Sequence, residues 1–112
     1  MYPNLSEYSN IVNYTYTIKV IDNDIKNIAS NNNLSVNEVI KRIEPLTFKK
    51  VELINKIVIL KQQFDKLNKK ERIIIRNYFI KNKTCFEVAG MLNISVRTFF
   101  RQLAKLEKKT SH

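Results

Sequence analysis

A chain of 112 residues with 44% apolar and 27% charged side chains has the makeup of one ordinary globular domain, able to bury roughly 65% of its unfolded surface. No run approaches the ~18 apolar residues of a membrane span, and the start "MYPNLSEYSN" lacks the basic and then apolar layout of a secretory signal, so a cytoplasmic protein with no membrane partner is expected. The net charge of +10 favours a polyanionic partner, and its placement sharpens the point: residues 1–40 hold 2 basic and 4 acidic side chains, residues 41–112 hold 18 and 6.

One glycine and two prolines leave little turn chemistry for hairpins, which argues against a sandwich or barrel. Ile11, Tyr14, Ile18, Ile21, Ile25 and Ile28 recur at the spacing of one helical stripe and predict a helix ending near "SNNN" at 30–33. The alternation in "VNYTYTIKV" keeps a strand over 12–20 as the alternative. Ser35, three before Glu38, has capping-box spacing, with Leu34 and Val39 placed to staple across it. Pro45 predicts that this short helix stops near Glu44. Thr47 is then expected to cap a long helix through about Leu67, with Leu53, Ile57, Leu60, Phe64 and Leu67 as its stripe. Two such striped helices either pack on each other, the expected outcome, or lend one stripe to a dimer seam.

Asn68 with Glu71, and Thr84 with Glu87, repeat the capping-box spacing ahead of two more helices. The first places Ile74, Ile75, Tyr78 and Phe79 on one face. The second is expected to bury Phe86, Val88, Ala89 and Leu92, and then to end at Asn93, a residue that tolerates a left-handed backbone where glycine is absent. Ser95 caps a last helix whose Val96, Phe99, Phe100, Leu103 and Leu106 gather toward the core, while Arg97, Thr98, Arg101, Gln102 and Lys105 share the other side.

Two helices joined by a three-residue turn, with small Ala89 inside the first, form the helix-turn-helix pattern. A helix fits the major groove, where arginine bonds both acceptors of a guanine edge and glutamine does the same with adenine. Ser95, Arg97, Thr98, Arg101, Gln102 and Lys105 are therefore the candidate DNA-binding residues of the recognition helix.

From Leu67 to Lys109 the chain, "LNKKERIIIRNYFIKNKTCFEVAGMLNISVRTFFRQLAKLEKK", resembles region 4 of the sigma-70 class of RNA polymerase sigma factors. The matching pieces are "KER" before an apolar helix, "EVA..L.IS" in the scaffold helix and "RT" opening the recognition helix. The likeness is nearest in character to small phage and mobile-element regulators of the RinA and ArpU type. It implies an all-α fold, with a helical N-terminal part (1–66) for partner binding or dimerisation, a long central helix, and a helix-turn-helix at 67–112. It also implies that Arg97, Thr98 and Arg101 face bases, and that Lys83 and Thr84 sit at phosphate. The usual turn glycine is Asn93 here, and Phe100 stands where sigma factors are often polar. Nothing in residues 1–66 resembles the aromatic promoter-melting region of a complete sigma factor.

The expected function is that of a sequence-specific DNA-binding transcriptional regulator that inserts the helix at 95–108 into the major groove. The alternative is an interaction module that captures RNA polymerase or another regulator without reading DNA. Double-stranded DNA, RNA polymerase and a second copy are the expected partners, with no small-molecule substrate and no cofactor. Catalytic and metal-binding residues are not expected: there is no glycine-rich phosphate loop, Cys85 is the single cysteine, and the single histidine stands at position 112.

Overall fold

The computed structural model describes residues 4–110, and all regular structure among them is helical. A 3-10 turn (Leu5–Asn10) leads into α1 (Ile11–Ala29), followed by α2 (Val36–Asp65) and α3 (Lys69–Ile74). A π-helical segment (Ile75–Ile80) continues α3, and α4 (Cys85–Met91) and α5 (Val96–Thr110) complete the chain. The strand alternative over 12–20 is not realised, because a stripe spaced by three and four buries Ile21 and half-buries Ile18, Ile25 and Ile28.

Two compact units divide the chain, one of residues 13–58 and one whose described part is 4–12 and 59–110. In the first, α1 ends where the Ser30 hydroxyl donates to the Lys26 carbonyl at 2.8 Å, and the Asn31 side chain accepts the Asn33 N–H at 2.9 Å. Ser35 then caps α2 by accepting the Glu38 N–H at 3.2 Å. Lys50 pairs with Asp22 at 2.6 Å, and the Lys56 ammonium lies 5.6 Å over the Tyr14 ring. Partner numbers fall along α1 as they rise along α2, so the two helices run antiparallel, closing over Ile21 and Leu53.

Pro45 does not end a helix, contrary to the sequence expectation, since α2 runs 30 residues through it. Its ring removes the N–H that the Lys41 carbonyl needs, but Lys41 and Pro45 both lie on the exposed side, where that carbonyl is open to solvent. The inward positions Val39, Ile43, Leu46 and Leu53 keep one register across it, so tertiary burial outweighs the local cost of about 3 kcal/mol. Thr47 is accordingly no cap: its hydroxyl donates to the Ile43 carbonyl one turn back, at 3.1 Å.

The second unit packs the N-terminal turn, the end of α2 and everything after it around Tyr8, Leu60, Ile74, Ile75, Val88, Phe99 and Leu106, all nearly sealed from solvent. Tyr8 donates its hydroxyl to the Leu60 carbonyl at 3.2 Å and lies against Phe64, centroids 6.5 Å apart. Both halves of the Asn68 and Glu71 capping box form, at 2.9 and 3.0 Å, and Glu71 also takes the Lys109 ammonium of α5 at 3.1 Å. The π-helical segment holds buried Asn77, whose side-chain amide donates to the Ile73 carbonyl at 2.9 Å. It closes through Asn82 in the left-handed region, with the Lys83 N–H on the Asn77 carbonyl at 2.8 Å.

Candidate nucleic-acid interface

The helical pair is built from its caps inward. Thr84 accepts the Glu87 N–H at 3.2 Å and Glu87 accepts the Thr84 N–H at 3.3 Å, a complete capping box that starts α4. After Leu92 the chain turns at Asn93, φ 56°. The Ile94 N–H bonds the Ala89 carbonyl at 3.0 Å and the Asn93 N–H bonds that of Gly90 at 3.1 Å. These are the two bonds of a Schellman ending, with asparagine in the place glycine usually holds. Ser95 then caps α5 by accepting the Thr98 N–H at 3.1 Å.

With the turn fixed, α5 buries Phe99, Leu103, Leu106 and Thr110 on one face. Phe99 is the plug: it is fully enclosed, and its ring sits 5.2 Å from Tyr78 and 5.3 Å from Phe100 in edge-on packing. Burial of each such side chain is worth about 1.5–3 kcal/mol. Val88 and Ala89 meet this face from α4, and the methyl of Ala89 lets the helices approach closely.

The opposite side of α5 is open. Arg97, Arg101 and Lys105 are exposed, one turn apart in succession, and among the described residues no carboxylate pairs with any of them. Lys108 continues the same side in the last turn and is equally exposed; its place follows from the helical spacing 97, 101, 105, 108, which the sequence reading stopped short of using. The other expected site residues are differently engaged. The Ser95 hydroxyl holds Thr98, whose own Oγ1 lies 2.9 Å away, so this pair serves the cap. Thr84 Oγ1 donates to Glu87 Oε1 at 3.1 Å, and Lys83 is half-buried. Gln102 is half-buried too, lining a cleft with Glu71 and Ile74 of α3 and with Asn68, which caps it.

Two aromatic expectations are corrected. Phe86 is 73% and Phe100 47% exposed, so neither belongs to the core. Each directly follows a more enclosed position, Cys85 and Phe99, and the ~100° step between successive helical residues carries its ring to the edge of the buried stripe or beyond it. Together with Met91, half exposed, they leave apolar side chains on the surface of the helical pair. Charge, in contrast, is concentrated in one of the two units. The unit containing the pair carries 13 Lys and Arg against 5 Asp and Glu, whereas residues 13–58 carry 7 against 5.

No group of His, Cys, Asp or Glu among the described residues is arranged to hold a metal ion, and no helix there is long and apolar enough to cross a membrane. No curated protein and no solved structure matches the chain significantly. A family profile described as "Protein of unknown function (DUF1492)" matches residues 29–110, spanning the end of α1 and all of α2 to α5, and the chain belongs to that DUF1492 family.

Proposed function

We propose that this protein is a sequence-specific DNA-binding transcriptional regulator that docks α5 in the major groove of a duplex. The observation that carries the reading is the wet, unpaired basic side of α5, Arg97, Arg101 and Lys105, set opposite a face closed by Phe99, Leu103 and Leu106. An α-helix with free guanidinium groups on one side has the size and the donors to bond guanine edges. The net +8 of the surrounding unit supplies the nonspecific attraction to phosphate that brings the duplex in. The likeness of residues 67–109 to sigma-70 region 4 points the same way.

The test is Arg101→Ala in gel-shift titrations on the best duplex selected from a random pool and on a scrambled one. Affinity for the selected site should fall by about 1–3 kcal/mol, with scrambled-site affinity nearly kept. Equal loss on both would make Arg101 a phosphate contact, and no preference for any sequence would remove the reading.

A second reading is favoured by Phe86, Met91 and Phe100, whose exposure suits an apolar contact with a protein. On that reading the pair captures RNA polymerase or another regulator and reads no DNA. Retention of purified polymerase without duplex, together with no selective shift, would decide for it.

A further inference from the structure

α2 is apolar on two sides, and α1 uses only one. Leu53 and its half-buried neighbours Val39, Ile43, Leu46 and Ile57 turn inward. A second set, Val36, Ile40, Phe48, Val51, Ile54 and Val58, remains 38–76% exposed. At 100° per residue the second set occupies one arc of ~120° beside the first, not a scatter around the helix. Val51, Ile54 and Val58 follow each other at three and four residues, as in a heptad seam.

We infer that this second stripe of α2 is the seam of a homodimer, packed against the same stripe of another copy. Four observations select a second copy as the occupant. The first is charge: within that arc, from Val36 to Val58, Glu44 alone is charged, although the chain as a whole carries +10. Two copies therefore meet along a strip that carries a single charged position each and none of the basic excess, and depletion of charge is what marks the centre of a protein interface. The remaining basic side chains of this stretch, Lys41, Arg42, Lys49 and Lys56, lie outside the arc, and Lys50, also outside it, is tied to Asp22.

The second is residue type. Five of the six side chains are valine or isoleucine, which are stiff at χ1 and lose little rotamer freedom on docking. The third is area. Covering the six in both copies removes on the order of 1,100 Å², just above the roughly 1,000 Å² that a specific interface needs. The fourth is self-complementarity: one stripe on one helix meets its own copy about a two-fold axis with no second surface required, which is the commonest closed assembly. A dimer gives a helix-turn-helix protein two reading heads for two half-sites. The seam itself rests on α2 alone and stands whether or not α5 reads DNA.

The experiment is sedimentation velocity on the full chain between about 1 and 300 µM, a span that brackets the affinities of small interfaces. The expected result is a concentration-dependent rise from 13.3 kDa to twice that mass. Ile54→Lys and, separately, Val51→Glu should weaken dimerisation at least tenfold. Both sites are exposed in the monomer, so the helical circular dichroism at low concentration should match that of the unaltered chain. A mass that stays at 13.3 kDa throughout, or variants that dimerise like the parent, would overturn the seam. Gel shifts on the same samples keep the readings apart, because a monomer that still selects a DNA sequence loses only the dimer, and a dimer that shifts no duplex loses only the DNA.

Discussion

Asn93 offers a test of the turn that aims α5. Its backbone lies at φ 56°, a region that costs an L-residue with a Cβ roughly 1–2 kcal/mol and that asparagine enters more easily than most. The side chain is exposed, so replacing it disturbs no packing. Asn93→Gly removes the Cβ clash and returns about 0.5–1 kcal/mol of freedom to the unfolded chain, for a net gain of about 0.5–1 kcal/mol. Asn93→Val keeps the clash, adds a branch at Cβ, and loses about 2 kcal/mol, more if the two hydrogen bonds of the turn loosen. At ~4 °C per kcal/mol the two variants should melt on the order of 10 °C apart, on either side of the parent chain. Thermal melting followed by circular dichroism reads this directly. A valine variant as stable as the parent, or a glycine variant less stable, would refute the claim that a left-handed asparagine sets the angle between α4 and α5.

Three further outcomes follow from named groups. Gly90, inside α4, has no atom within 4 Å of where a Cβ would stand, so Gly90→Ala should raise the unfolding free energy by about 0.5–1 kcal/mol in a urea titration. Pro45→Ala restores an N–H for the Lys41 carbonyl on an exposed side of α2 and should add up to about 3 kcal/mol, again read as a shift in the urea midpoint. Burial pushes the Tyr8 hydroxyl up from 10.0 to about 12. A folded-state pKa above the unfolded one means that the stabilisation is complete below pH 10 and is lost as pH rises through 12. Tyr8→Phe should therefore cost about 0.5–1.5 kcal/mol at neutral pH through the missing bond to Leu60, and should show a smaller fall in stability between pH 10 and 12 than the parent chain in paired denaturation curves.

Local chemistry made much of the C-terminal half legible. The capping boxes at Asn68 and Thr84 both form, and the left-handed turn falls at Asn93, because short polar side chains leave the backbone few alternatives at those spacings. Arg97, Arg101 and Lys105 were found open for the same reason: an apolar stripe of period 3.6 fixes the opposite face. Phe86 and Phe100 were misplaced when hydrophobicity was allowed to override that period. The break expected at Pro45 failed for the converse reason, since a local rule yielded to burial along 30 residues of α2. The π-helical segment at Ile75–Ile80 and the return of Tyr8 to the later part of the chain had no local signature at all. The second depends on a contact between residues far apart in sequence, the 52 positions that separate Tyr8 from Leu60.

That return of the N-terminal turn changes what counts as the smallest working piece. A fragment cut at position 66 on the strength of α4 and α5 alone would shed Leu5, Tyr8 and Leu60 together, all buried in the same core as Ile74, Ile75 and Phe99. Such a fragment would open its hydrophobic interior to water from a side that its own residues have no means of roofing. The unit that holds α4 and α5 is completed by Leu5 and Tyr8, and any attempt to transplant it must carry them along.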